Sequence, residues 1–141
     1  MKKYTLFILL AFLSFSTSLL AQDEEKEMSP IDKIQFWDAN NNYYVVLPYR
    51  INYSPMTKEL SSSGEYDGGK AETKKMKEGD FEKLTKAVKK IYDQEDIRSD
   101  KREKGTVKIQ LEHESGLVEF IFIKKGKKAD KLEKMIQKRM K

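Results

Sequence analysis

The chain has 141 residues, with 28 Lys and Arg against 23 Asp and Glu, so its formal net charge is +5. It contains one histidine and no cysteine. These counts exclude disulfides, thiol nucleophiles, thiolate metal sites and any metal site built from several histidines. The fold must therefore be stabilised by burial of apolar side chains.

The first 21 residues have the layout of a secretory signal peptide. Lys2 and Lys3 precede the apolar run 6–13, and the small residue Ala21 stands at the expected cleavage point. The apolar stretch is shorter than the ~20 residues that a membrane-spanning helix needs. We expect export to the periplasm or the extracellular space, with Gln22 as the first mature residue. Without a cysteine at the cleavage point, the mature chain is not expected to be lipid-anchored.

The mature chain is expected to hold one domain behind a leader. Residues 22–30, QDEEKEMSP, are acidic and polar, which is typical of a flexible leader. Residues 31–141 are long enough for one modest core.

Alternating apolar residues predict strands in the first half of this domain. Residues 33–38 predict one strand, and residues 43–53, rich in β-branched and aromatic side chains, predict a second. Pro48 cannot donate to a ladder, which places the second strand at a sheet edge or a bulge. The lysine-rich stretch 70–77 predicts a third, exposed strand.

The second half is predicted to contain a helix, a β-hairpin and another helix. An apolar stripe at helical spacing predicts a helix over 80–92, with Asp80 as its N-cap. Residues 107–123 predict a hairpin, and its second run, 117–123, is apolar enough to be a central strand. A last stripe predicts a helix over 128–140. The order β-β-(β)-α-β-β-α predicts an α+β two-layer sandwich, an antiparallel sheet of four to five strands with both helices on one face.

Residues 64–71, GEYDGGKA, differ from a phosphate-binding loop, G-x-x-x-x-G-K-[ST], at one position. Such a loop needs a helix directly after the lysine and a hydroxyl for Mg²⁺, which Ala71 lacks. Glu65 and Asp67 would also repel phosphate. We therefore predict no nucleotide binding and interpret Asp67-Gly68 as a turn, with Gly68 in a backbone conformation that other residues resist.

Groups able to carry out catalysis are few. His113 is expected to be half-buried or at the surface, with Glu112 and Glu114 on the opposite strand face. Residues 93–96 resemble the start of a calcium loop but lack its later ligands. The spacing of the carboxylates does not distinguish a catalytic pair from surface charge. We predict no enzyme, no metal and no cofactor, and a carboxylate-based hydrolase stays a remote alternative.

Three features favour a binding module. Core and cross-strand packing is the ordinary explanation for the aromatic residues of the first strands, and the alternative is that Trp37, Tyr44 and Tyr53 form one exposed face for a protein or glycan. A loop rich in Ser and Gly has the composition of recognition loops. Residues 124–141 carry nine Lys and Arg against two acidic residues, typical of either a solvated helix face or an anion-binding patch. The candidate contacts in the loop and the basic segment are Ser62, Ser63, Tyr66, Lys127, Lys128, Lys131 and Lys138.

These observations predict a small exported non-catalytic domain that binds an envelope or extracellular protein, with enzyme inhibition as one form. The alternative is docking on anionic surface polymer or lipid headgroups through the basic C-terminal helix. Nucleic acid is disfavoured because no aromatic residues are interspersed among the lysines.

Residues 64–140 also resemble, in element order, the emfourin-type protease inhibitors. The resemblance is carried by Gly68-Gly69 ahead of the first helix, the run TVKIQLEHESGLVEFIF and a terminal leucine-containing helix. The added aromatic N-terminal segment and the higher lysine content depart from that pattern. The resemblance implies a protein partner and transfers no inhibitory residue to this chain.

Overall fold

A computed structural model describes residues 29–141, so the predicted signal peptide and most of the leader lie outside the described residues. All neighbouring strands are antiparallel, in the order β4-β3-β2-β1-β6-β7-β5. The strands are β1 (Ile31–Trp37), β2 (Tyr43–Leu47), β3 (Arg50–Ser54), β4 (Glu72–Lys75), β5 (Arg98–Ser99), β6 (Val107–His113) and β7 (Val118–Ile123), and the helices are α1 (Asp80–Tyr92) and α2 (Lys127–Lys138).

The α+β class, with an antiparallel sheet and two helices, is confirmed, but the sheet has seven strands rather than four or five. Residues 43–53 form a hairpin instead of one strand, because Leu47 pairs with Arg50 across Pro48 and Tyr49. Pro48 lies in the turn, where no ladder hydrogen bond needs its missing N–H. The extra strand β5 has two residues, too few to show an alternating pattern.

One face of the sheet packs against both helices. The inward-facing side chains of the sheet and the apolar stripes of α1 and α2 form one buried cluster. Phe36, Ile109 and Leu132 are among its largest fully buried side chains. Both predicted helices are present, each within two residues of its expected ends. Neither helix of the described chain is long and apolar enough to cross a membrane.

The sequence predicted Asp80 as the N-cap of α1, but Asp80 is the first residue of the helix. Gly79 precedes it, with a φ of +75°. The Asp80 carboxylate instead accepts a hydrogen bond from Arg139, at 3.1 Å, just beyond the end of α2. This pair joins the start of one helix to the end of the other, so the two helices lie antiparallel on the sheet.

β7 is not the central strand, although its apolar run predicted that position. β1 is the fourth of the seven strands, and β7 is next to an edge. Ile121 and Ile123 face the helices and are buried, whereas Val118, Phe120 and Phe122 face the opposite side. Apolar residues on both faces of β7 therefore indicate an uncovered apolar surface.

Candidate binding surface on the open sheet face

The sheet face that points away from the helices, here called the open face, carries a row of aromatic and apolar side chains with one lysine among them. Strand alternation and register place them on the same side. At the β7 end of the row, Val118 and Phe120 are 52% and 56% exposed, and neighbouring Leu117 is 48% exposed. The members of the row are Tyr43, Trp37, Lys108, Val118, Phe120 and Phe122.

The rings of this row stack sideways across the strands. Trp37 lies directly opposite Tyr43, with ring centroids 4.6 Å apart and planes 25° apart. The Nζ atom of Lys108 is 4.3 Å from the Trp37 centroid and 5.4 Å from the Phe120 centroid. These distances are close to the ~4.8 Å between neighbouring strands. The Trp37 ring is therefore covered by the Tyr43 ring and by the Lys108 side chain, which come from the two adjacent strands. The ring therefore presents little of its flat face to solvent, and a sugar would lack the platform on which it stacks.

A chain of polar contacts orders the same face. Tyr43 donates to Gln35, and the Gln35 amide donates to Glu112. Glu112 in turn pairs with Lys33, and this hydrogen bond lowers the pKa of Glu112 and raises the pKa of Lys33. Partners that hold each other in place lose less side-chain freedom on binding, so the open face is pre-organised.

The predicted exposed face of Trp37, Tyr44 and Tyr53 does not exist. Tyr44 lies opposite Phe36, faces the helices and is buried, and that burial raises its pKa far above the usual value. Tyr53 lies opposite Tyr44 with ring centroids 4.8 Å apart. Only Trp37 is on the open face, where Tyr43 takes the place expected for Tyr44. The register sets which of two consecutive tyrosines faces out, and it was not readable from the sequence.

The loop between β3 and β4 is anchored by polar contacts to Asn42, which lies in the β1–β2 turn. Ser62 and Ser63 are exposed, whereas Tyr66 is half-buried and its hydroxyl accepts from the Asn42 side chain at 2.8 Å. Asn42 is buried and also donates to the Asp38 carboxylate at 2.7 Å. The two serines are thus exposed on a loop that Tyr66 fastens to Asn42.

Gly68 has a different role from the one predicted. The left-handed backbone conformation belongs to Gly69, with a φ of +94°, and not to Gly68. Gly68 is needed for space, because a Cβ there would lie 2.2 Å from Oδ1 of Asn42. Lys70 is followed by β4, so the helix N-terminus that a phosphate loop requires is missing at this point.

His113 is buried, contrary to the prediction of a half-buried or surface residue. Its Nδ1 lies 2.7 Å from the Ser29 carbonyl oxygen, and its Nε2 lies 3.0 Å from Glu119 across the hairpin. The side chain is inaccessible to solvent, so no substrate can reach the ring. His113 therefore holds the chain at Ser29 against the hairpin of β6 and β7. Among residues 29–141, no three His, Asp or Glu side chains are placed to hold a metal ion.

The basic segment forms one wall of a cleft between the helices. The four predicted lysines of α2 are all exposed, and two of them, Lys128 and Lys131, line a cleft of about 450 Å³. The opposite wall is formed by α1, with Ala87 and Ile91 at its apolar part and three lysines that the sequence had not joined to the basic patch, although they are spaced along one helix face. These lysines are Lys83, Lys86 and Lys90.

Comparison with protein families, with curated proteins and with solved structures finds no match to this chain. The resemblance in element order to emfourin-type inhibitors remains a prediction.

Proposed function

We propose that the protein is a small exported, non-catalytic module that holds another protein of the envelope or extracellular space on its open face. The observation that carries this proposal is the exposure of Val118 and Phe120 together at the end of an ordered aromatic row. A cluster of exposed apolar side chains is unfavourable in water and is typical of interaction surfaces. Aromatic residues also provide much of the binding energy at the centres of protein interfaces.

The charges of the open face indicate the kind of partner surface that fits. Glu112 is neutralised by Lys33, whereas Lys108, Arg50 and Lys75 add positive charge on the same side of the sheet. A complementary surface would combine an apolar centre with acidic groups around it.

Replacement of Phe120 by aspartate is expected to abolish partner capture, because it removes the apolar ring from the contact and puts there a carboxylate that has to lose its water on binding. The purified protein would be used to capture envelope and secreted proteins of its source organism, read out by mass spectrometry. We expect the Phe120→Asp variant to recover the partner at least about tenfold less well than the wild type, about 1.4 kcal/mol or more.

The matched control is Tyr49→Asp, because Tyr49 is 82% exposed and lies in the β2–β3 turn, away from the row. This variant should capture as the wild type does, and both variants should keep the wild-type unfolding transition. Equal recovery by Phe120→Asp and Tyr49→Asp would exclude the open face as the binding surface.

Docking on anionic polymer or lipid headgroups is a second candidate function, favoured by the lysine-lined cleft. Lysines spaced three or four apart on one helix repel each other by a few tenths of a kcal/mol per pair. Lys128 and Lys131 of α2 face Lys90 of α1 across the cleft, and within residues 29–141 none of these three forms an ion pair. An anionic ligand would relieve this repulsion.

Removal of these three charges tests the second candidate. If the cleft docks on polyanions, the variant Lys90→Gln, Lys128→Gln, Lys131→Gln should lose binding to alginate or to anionic vesicles at low salt. Binding of the wild type should also fall steeply from about 0.02 to 0.5 M salt, where the Debye length shrinks severalfold. The charge-matched control replaces the exposed lysines Lys58, Lys70 and Lys104 by Gln. Equal binding by the two triple variants would remove the cleft from consideration.

A further inference from the structure

The two edges of the sheet differ in whether their residues oppose pairing with a further strand. The β4 edge and its flanks are rich in lysine, and charged edge residues oppose pairing with another chain. The β7 edge is covered by β5 only at Phe122 and Ile123. Beyond β5 it carries Val118 and Phe120, two exposed apolar residues, and the charged residue between them, Glu119, turns its side chain to the helix-facing side, where it contacts His113. The lysines of the β4 side are Lys70, Lys74, Lys75 and Lys77.

In this uncovered part of β7, the backbone N–H and C=O groups of Val118 and Phe120 point away from the sheet. The His113 N–H donates to the Leu117 carbonyl at 2.9 Å, which makes these two residues a hydrogen-bonded pair at the start of the hairpin. Bonded and non-bonded pairs alternate along an antiparallel ladder. Val118, opposite Glu112, and Phe120, two residues on, therefore direct their N–H and C=O groups away from β6.

Farther along β7 the same outward groups are used, which supports this assignment. The Lys124 N–H donates to the Ile97 carbonyl at 2.9 Å, and Phe122 pairs with Ser99 of β5. Among residues 29–141, no strand pairs with Val118 or Phe120 on this side. The pairing of β5 with β7 thus stops in the middle of β7, and the outward N–H and C=O groups of Val118 and Phe120 have no strand partner among residues 29–141.

We propose that the protein partner contributes an extended segment that pairs with β7 at Val118 and Phe120 and continues the sheet where β5 ends. This inference rests on the proposed function. In such strand addition, main-chain hydrogen bonds contribute affinity and alternate side chains contribute specificity. Every second side chain of the added segment would lie on the open face beside Phe120, so the segment should carry apolar residues at alternate positions.

A flexible segment fits this edge better than a second copy of the chain does. β5 closes one end of the open stretch, which leaves four residues, Val118 to Ile121, for pairing. A flexible segment can pair over this length and bend away at Ser99. A strand held in the sheet of a second copy would carry its own β5 on the pairing side, which would restrict its approach.

The test uses a displayed library of random 12-residue peptides selected on the purified protein. Val118→Pro removes the outward N–H, and proline is tolerated on edge strands where that group faces solvent. Val118→Ala is the control, because it shortens the side chain and keeps the N–H. We expect selected peptides to share alternating apolar residues and to bind the Val118→Pro variant at least about tenfold more weakly than Val118→Ala.

Amide hydrogen exchange of the wild type provides a readout that does not depend on the folding of any variant. Bound peptide should slow exchange at Val118 and Phe120, because hydrogen-bonded amides are protected. Failure to select binders, equal binding by both variants, or unchanged exchange at these amides would overturn the proposal. A dimer of the wild type that Val118→Pro dissolves would also overturn it, in favour of a second copy. Loss of partner capture by Phe120→Asp, with no effect of Val118→Pro, would refute strand pairing and leave the proposed function intact.

Discussion

Replacement of Phe36 by alanine is expected to lower the free energy of unfolding by about 3–5 kcal/mol, the usual range for a large aromatic residue removed from a core. Phe36 is fully buried in β1, where its ring contacts Tyr44 with centroids 5.8 Å apart. Domains of this size are stable by only about 5–15 kcal/mol, so the variant should be close to unfolding. Urea denaturation followed by circular dichroism measures the change.

The matched control is the same substitution on the open face. Phe120 is more than half exposed, so Phe120→Ala should lower the free energy of unfolding by about 1 kcal/mol or less, since little area is lost from the core. Similar losses for Phe36→Ala and Phe120→Ala would mean that the two sheet faces are equally covered. That result would contradict both the two-layer packing and the proposed binding surface.

The second large effect is expected at Gly68, where alanine should lower the free energy of unfolding by about 2–3 kcal/mol through overpacking. The added methyl group would lie 2.2 Å from Oδ1 of Asn42 and 2.9 Å from Cβ of Pro55. Asn42 cannot easily give way, because its side chain also holds Asp38 and accepts from the Met56 N–H at 2.9 Å. Thermal or urea denaturation of the purified variant gives the value.

Gly69→Ala separates lack of space from backbone strain. Gly69 has a φ of +94° and open space around its Cα, so alanine there should lower stability only through its backbone, by about 1–2 kcal/mol. We therefore expect Gly68→Ala to be the more damaging of the two. The reverse order would show that the turn conformation, and not the contact with Asn42, determines the need for glycine at this loop.

The sequence predicts the helices and strands of this fold better than it predicts which strands are neighbours in the sheet. The stripe of apolar residues predicted both ends of α1 correctly, because helix periodicity is a local property. The hairpin hidden in residues 43–53 was missed, because every residue except Pro48 suits a strand on either side of the turn. Strand order depends on contacts between distant segments, so the central place of β1 could not be derived from its own residues.

The candidate surface on the open face was only partly predictable for the same reason. Trp37 lies on the open face, but its row also depends on Lys108 and Phe120, about 70 and 80 residues away along the chain. The apolar run of β7 contained a usable signal. Val118, Phe120 and Phe122 alternate with the buried Ile121 and Ile123, which indicates two apolar faces, and only the structure shows that one of them is uncovered.

Site-specific photo-crosslinking in the source organism tests the central claim most directly. A photoreactive phenylalanine analogue would replace Phe120 on the open face, Tyr49 in the β2–β3 turn, or Lys131 on the helix layer. We expect a crosslink to one protein from position 120 and none from position 49 or 131. A crosslink from position 131 with none from position 120 would contradict this expectation and assign binding to the helices.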